Sequence, residues 1–227
     1  MSRTFNLLIF DWDGTLMDSE AKIVDCVRAA AEDLDLGVPA DDRIRNIIGL
    51  GLTEAVTTLF PGSDDEQVQA VARRYRHHFL AVNETPSALF PGAVMVLEAL
   101  ADRDYLLAVA TGKGRQGLDR ALADTGLARL FHATRCADET LSKPHPEMLH
   151  QLMNELGAMP GETLMVGDTE YDMQMAVNAG TERLAVSYGV HAPERLQQHR
   201  PLGCLDSIGE MVTWLDELEA AEQISRN

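Results

Sequence analysis

Hydrophobic and polar positions follow two different rhythms along this chain. Phe5 to Phe10 is a short apolar run that meets Asp11. It predicts a buried strand, because strands of a parallel sheet are covered on both faces. Asp13-Gly14 then marks a turn. Ser19 to Leu36 predicts a helix, with Ile23, Val24, Val27 and Leu34 on one stripe and Asp18 or Ser19 as its cap. Gly37 and Pro39 end it. Asp41 to Ile48 predicts a second helix, and Gly49-Leu50-Gly51-Leu52 interrupts the pattern. Thr53 to Phe60 is a short helix closed by Pro61-Gly62. Asp64 to about Val82 is a longer one, with Val68, Val71, Tyr75 and Phe79 at helical spacing.

After Pro91-Gly92 the rhythm changes to alternation. Helices are predicted over Val94–Leu100, Gln116–Asp124, Pro146–Leu156, Tyr171–Ala179 and Ile208–Leu218. Strands are predicted over Tyr105–Ala110, His132–Ala137, Thr163–Val166 and Arg183–Tyr188. This order implies an α/β fold, a doubly wound parallel sheet wrapped by helices. The first strand stands apart from the alternation. The division that follows is a core of residues 1–16 and 86–227, with residues 17–85 inserted as a helical block. The polar tail Glu219 to Asn227 is expected to fray.

Charge narrows the partners. Acids outnumber bases 36 to 19 in the 227 residues, a net charge of −17. Nucleic acid and anionic membranes are therefore excluded as main partners, since both need excess Lys and Arg. A small anionic substrate remains open, because a bound cation inverts the local field. Aromatics are only 5%, so the core must be aliphatic. Met148, Met153, Met159, Met165, Met173 and Met175 are expected as its filler. Cys26, Cys136 and Cys204 lie far apart without a CxxC, which suits a reducing compartment. Leu7 to Phe10 is too short for a signal-peptide core, and no stretch approaches a membrane span. The expected location is cytoplasmic.

Ligands of open parallel sheets bind beyond the carboxyl ends of the strands. The first strand ends at Asp11-Trp12-Asp13-Gly14-Thr15, the second at Thr111-Gly112, and the fourth at Gly167-Asp168, with Asp172 shortly after. Lys143-Pro144 lies in the loop following the third. In extended chain, Asp11 and Asp13 share a face. With Asp168 and Asp172 they would gather four carboxylates, which repel by about 4 kcal/mol per pair at 4 Å. Hard oxygen donors without His or Cys then point to Mg²⁺. Thr111, Gly112 and the following backbone N–H groups could hold an oxyanion at a helix start.

Each element also has a plainer reading. Asp13-Gly14 alone is a turn, Gly167-Asp168 a loop with a capping acid, and Asp172 a solvated first-turn acid. Lys113, Arg115 and Lys143 alone read as surface charges. Gly112 to Gly117 spells GxGxxG and opens the alternative of a dinucleotide-binding module. Its Lys and Arg, and its place after the second strand, weigh against that alternative. The histidines show no ligand spacing, and no GxSxG elbow is present.

Taken together, Asp11-Trp12-Asp13-Gly14-Thr15-Leu16, Thr111-Gly112, Lys143-Pro144 and Gly167-Asp168-Thr169-Glu170-Tyr171-Asp172 resemble the haloacid dehalogenase superfamily, its phosphoglycolate-phosphatase-like group above all. The resemblance implies a Rossmann-like core with a helical cap domain inserted after the first strand. It implies Asp11 as nucleophile forming an aspartyl-phosphate, and Asp13 as acid and base. Thr111, Gly112 and Lys143 would bind the phosphoryl group. Asp11, the backbone carbonyl of Asp13, Asp168 and Asp172 would bind Mg²⁺. Gly49-Leu50-Gly51-Leu52 resembles the family's specificity loop. An aspartate at position 13 favours phosphatase or phosphomutase chemistry, so a sugar phosphomutase is the first alternative. Trp12 departs from the commoner Phe or Leu but points away from the carboxylate face. The expected partner is a small phosphorylated metabolite, and the expected state is monomer or homodimer.

Overall fold

A computed structural model describes residues 4–225. Its centre is a six-stranded parallel sheet. The strands are β1 (Leu7–Phe10), β4 (Leu106–Thr111), β5 (Ala133–Cys136), β6 (Thr163–Gly167), β7 (Glu182–Val186) and β8 (Cys204–Leu205), in the order β5-β4-β1-β6-β7-β8. β1 is flanked by β4 on one side and β6 on the other, with Ile9 opposite both Ala108 and Met165. All four β1 side chains are fully buried, as the unbroken apolar run requires.

The period of two divides the core cleanly. Leu8 and Phe10 join Leu107, Val109, Leu164 and Val166 on one face. That face packs on α5 (Ala93–Ala101), α6 (Arg115–Thr125) and α10 (Met211–Ser225) through Leu97, Leu118 and Leu215. Leu7 and Ile9 join Ala108, Ala110 and Met165 on the other, against α7 (Glu147–Leu156) and α8 (Glu170–Ala179). The connections out of β1 thus wind to both faces, and the chain-order reversal at β1 opens a crevice at its carboxyl end.

Residues between the first strand and this alternation form α1 (Glu20–Glu32), α2 (Asp41–Asn46), α3 (Leu52–Leu59) and α4 (Asp65–His77). They bury apolar clusters of their own, Ile23, Val27, Ile44 and Ile47 in one and Val56, Val68 and Val71 in another. A two-residue antiparallel pair, β2 (Met17–Asp18) with β3 (Ala88–Leu89), sets the chain's exit from the core beside its return. Both strands are too short to leave a period in the sequence.

Most predicted elements lie within a few residues of those found, and four differences have local causes. The helix expected to reach Val82 ends at His77 and widens into a π turn over His78–Val82. β8 and α9 (Pro193–Gln197) were not anticipated, being two and five residues long. The tail does not fray from Glu219 as expected. α10 continues to Ser225, and Arg226 and Asn227 lie outside the described residues. Met159 is 65% exposed rather than core, while Met148, Met153, Met165, Met173 and Met175 are buried. No helix among the described residues is long and apolar enough to cross a membrane.

Leu97 is fully buried between α5 and the sheet, away from the strand ends. Leu97→Ala should lower unfolding free energy by about 2–5 kcal/mol in denaturant titrations, with specific activity of the folded fraction retained.

Candidate active site

The carboxyl end of β1 delivers Asp11 and Asp13 to one cavity. That cavity has a volume of about 240 Å³ and also takes Thr111, Gly112 and Lys113 from the end of β4. Asp11 Oδ1 accepts a hydrogen bond from the Trp12 N–H at 2.7 Å and lies 2.8 Å from Lys143 Nζ. Lys143 Nζ is also 2.6 Å from Asp172 Oδ1. All three side chains are essentially inaccessible to solvent. Removing one partner of such a buried set leaves an uncompensated charge, which costs about 3–5 kcal/mol.

Asp168 lies beside this set, at the end of β6. It accepts from Thr15 Oγ1 at 2.8 Å and from the Val190 N–H at 2.8 Å. Space for it is made by backbone. Gly14 has φ +83°, which favours glycine, and a Cβ there or at Gly189 would collide with the Asp168 side chain. Asp172 is held by a reciprocal cap at the start of α8. Thr169 N–H and Oγ1 donate to its Oδ2 at 3.1 and 2.6 Å. Asp172 is thus not the solvated acid expected from its position alone: it is fully buried.

Oxygens of Asp11, Asp168 and Asp172 lie within 4.8 Å of one another. Asp11 Oδ2 is buried with no hydrogen-bond partner among the described residues. Burial, only partly opposed by Lys143 and reinforced by Asp172 and Asp168, holds the Asp11 carboxyl well above its ordinary range. Burial and then Asp172 push Asp168 up to about 7. Lys143 is driven down by burial, but Asp11 and Asp172 outweigh that and leave its pKa above the ordinary value. Three carboxylates with one ammonium form an under-neutralised oxygen cluster. A hard divalent cation fits that donor set and would relieve the strain on Asp11 Oδ2.

Asp13 is held differently. Ser19 Oγ donates to its Oδ1 at 2.5 Å, and Lys113 Nζ lies 3.0 Å from its Oδ2. Ser19 therefore stands at the start of α1 without capping it through its side chain. Lys113 is not a solvent-facing charge, since its side chain is only 7% exposed. Phe79 lies 4.4 Å beneath its ammonium, ring centroid to nitrogen.

A helical-block segment closes over these groups. Gly49 and Leu50 carbonyl oxygens sit so close to Gly112 that a Cβ there would overlap them. Gly51 N–H donates to Ser142 Oγ at 2.7 Å. Asn46 O accepts from the Tyr171 hydroxyl at 2.9 Å, and Asn46 Oδ1 accepts from Arg195 at 2.8 Å. The Gly112–Gly117 loop is thereby filled on both sides. Asp138 accepts the Arg115 N–H at 2.9 Å, so its carboxylate already occupies the helix start that a pyrophosphate would need. The dinucleotide alternative fails on this point, and that amide is not free for an oxyanion.

A family model described as haloacid dehalogenase-like hydrolase matches residues 8–186, a span running from the first strand through β7. This chain belongs to that family. Relatives within that family carry the names of phosphatases. A protein of Dickeya dadantii named "Probable phosphatase IndB" is 38% identical over 212 residues, covering 91% of each chain. A phosphoglycolate phosphatase of Pasteurella multocida is 28% identical over 221 residues, covering 93% of this chain and 99% of that one. A Bacteroides fragilis protein described as a haloacid dehalogenase-like hydrolase superposes with a TM-score of 0.86 at 25% identity, over 91% of this chain and 99% of that one.

Asp11, Asp13, Thr111 and Gly112, expected from strand ends, meet at the cavity. Lys143, Asp168 and Asp172 meet behind Asp11. Trp12 points into the core against Phe131, at 6.3 Å between ring centroids. Ser19, Lys113, Ser142, Tyr171 and Arg195 were not read as site residues. Their contacts depend on how loops distant in sequence approach, and only Lys113, next to Thr111-Gly112, carried any signal.

The raised Asp168 pKa carries a sign. Between its ordinary 3.8 and about 7, the folded protein binds more protons than the unfolded chain, so stability falls as pH rises through that window. Without divalent cations, Asp168→Asn should flatten this decline in pH-dependent thermal unfolding. An unchanged slope would remove Asp168 as its source.

Proposed function

We propose that the chain is a Mg²⁺-dependent phosphatase that hydrolyses a small phosphomonoester through an aspartyl-phosphate on Asp11. The observation that carries this reading is the meeting of Asp11 and Asp13 in one cavity, with Lys143 paired to Asp11 from behind. A carboxylate approaches a phosphate dianion only where cations offset the repulsion. Lys143 supplies one fixed positive charge. Asp11, the Asp13 backbone carbonyl, Asp168 and Asp172 would hold the metal, which supplies charge neutralisation for the transferring phosphoryl group when bound.

In the first half, an Asp11 carboxylate oxygen forms a bond to phosphorus while the ester P–O bond breaks. Asp13 gives its proton to the departing oxygen. In the second half, Asp13 takes a proton from water as that water attacks phosphorus, releasing inorganic phosphate and restoring Asp11. Thr111 and Gly112 line the cavity where the phosphoryl oxygens would lie.

Residues 17–85 would act as a cap over the core of residues 1–16 and 86–227, excluding water when docked through Asn46 and Gly51 and opening for exchange. Phosphatase is favoured over mutase by the cavity's bases. Lys113 is committed to Asp13, which leaves Arg76 alone for the second phosphate that a bisphosphate intermediate would carry. The buried or half-buried free thiols suit a reducing cytoplasm.

Asp11→Asn should abolish phosphate release from para-nitrophenyl phosphate, a loss of at least about 10³-fold in the folded fraction, with a lowered melting transition because Lys143 loses a buried partner. Asp13→Asn should cost about 10²–10⁴-fold, and less on para-nitrophenyl phosphate than on an alkyl phosphate that needs its leaving oxygen protonated. Chelation of divalent cations should abolish turnover, with Mg²⁺ restoring it. Full activity in Asp11→Asn would end the nucleophile assignment.

A further inference from the structure

Beyond the phosphoryl site, the cavity runs into the interior of the helical block. Its wall there is Ile23, Val27, Ile47, Leu52, Tyr75 and Phe79. These side chains come from α1, the segment after α2, α3 and the end of α4 with its π turn. Tyr75 and Phe79 lie stacked, with ring centroids 5.7 Å apart and planes 28° from parallel. Charged groups on the rest of the wall do not form a clamp for an anion. Lys113 is paired with Asp13, Lys22 lies over the Phe79 ring at 5.1 Å, and the exposed Arg76 shares the lining with the acids Glu54 and Asp138. Polar side chains on this wall are few: Thr53, Tyr75 and Gln116 carry donors there beside Arg76.

We infer that the substrate's leaving group is largely apolar and about the size of a single ring, received by the apolar wall of α1 and α4 beside the Tyr75 hydroxyl. The inference rests on the phosphatase reading and narrows it. At about 240 Å³ the cavity is below the usual range for drug-sized ligands, about 300–1,000 Å³. A phosphoryl group plus one ring is in keeping with it. A carboxylate on the leaving group would have to be stripped of water against aliphatic side chains, on a wall that also carries the acids Glu54 and Asp138, which is costly. A sugar would leave several hydroxyls facing the aliphatic and aromatic part of this wall, and each unpaired hydroxyl lowers kcat/KM.

The test compares kcat/KM of the Mg²⁺-loaded enzyme for benzyl phosphate, phosphoglycolate, glucose 6-phosphate and ethyl phosphate, all alkyl esters, by phosphate release. Benzyl phosphate should exceed phosphoglycolate and glucose 6-phosphate by at least about tenfold. Equal or better turnover of either polar substrate would overturn the inference while leaving the phosphatase reading intact. Release from none of them, nor from para-nitrophenyl phosphate, would instead defeat the phosphatase reading itself. Val27→Phe, which fills the apolar wall, should cut the benzyl-to-ethyl ratio by at least about tenfold. Val27→Leu is measured beside it as a milder change in the same direction. An unchanged ratio in a folded variant would remove this wall from substrate selection.

Discussion

The structure at the strand ends depends on one buried ammonium. Lys143 sits between Asp11 and Asp172 with no solvent contact. An ion taken out of water costs several kcal/mol even after relaxation, and attraction repays this only where geometry is close. Here it is close on two sides. The second carboxylate, Asp172, is itself fixed by the Thr169 cap. The cap of α8, the loop carrying Lys143 and the end of β1 are therefore one electrostatic unit. Moving any of them would strand a charge.

Backbone close approach is the other constraint, and it works with the first. Asp168 reaches the cluster only because Gly14 and Gly189 leave room for its side chain. At Gly112 the intruding groups are the carbonyls of Gly49 and Leu50. The first two glycines admit a carboxylate into the charged cluster. The third admits the helical block onto the site. The same residue type thus sets both the density of charge and its isolation from water, and desolvation strengthens each interaction within.

Legibility in the sequence followed interaction range. β1 could be read because Leu7 to Phe10 is unbroken in its apolar character, too short for a buried helix and suited to a strand covered on both faces. The alternating second half could be read because its periods are long enough to count. The reactive residues could be read because each stands at the end of such a strand. β2, β3 and β8 are two residues long, and no periodicity survives at that length. Asp172 misled in isolation, because a first-turn acid is ordinarily solvated, and only the approach of Lys143 from another loop accounts for its burial. Ser19 looked like a helix cap, but its hydroxyl is drawn to Asp13 instead. The Gly112–Gly117 spacing suggested phosphate cradling, yet Asp138, brought alongside by β5, fills that place. Each of these misreadings involves a partner more than five residues away in sequence or a loop whose path no local pattern specifies.

The two halves of the cavity obey different physics, and the chain supplies them from different places. The inner half is built from strand ends of the sheet, where carboxylates and a lysine hold one another by close charge pairing. The outer half is built from helices whose apolar faces were needed anyway for their own packing. Ile23, Val27 and Ile47 belong both to the block's apolar cluster and to the cavity wall. A helical block that must bury such a stripe, and is joined to the core by two adjacent strands, can change which side chains reach the cavity without disturbing Asp11 or Lys143. Substrate choice can then shift by substitutions on α1 and α4 whose cost falls on the block's own packing, whereas any change at the ion-paired strand ends is felt at once in both charge balance and chemistry.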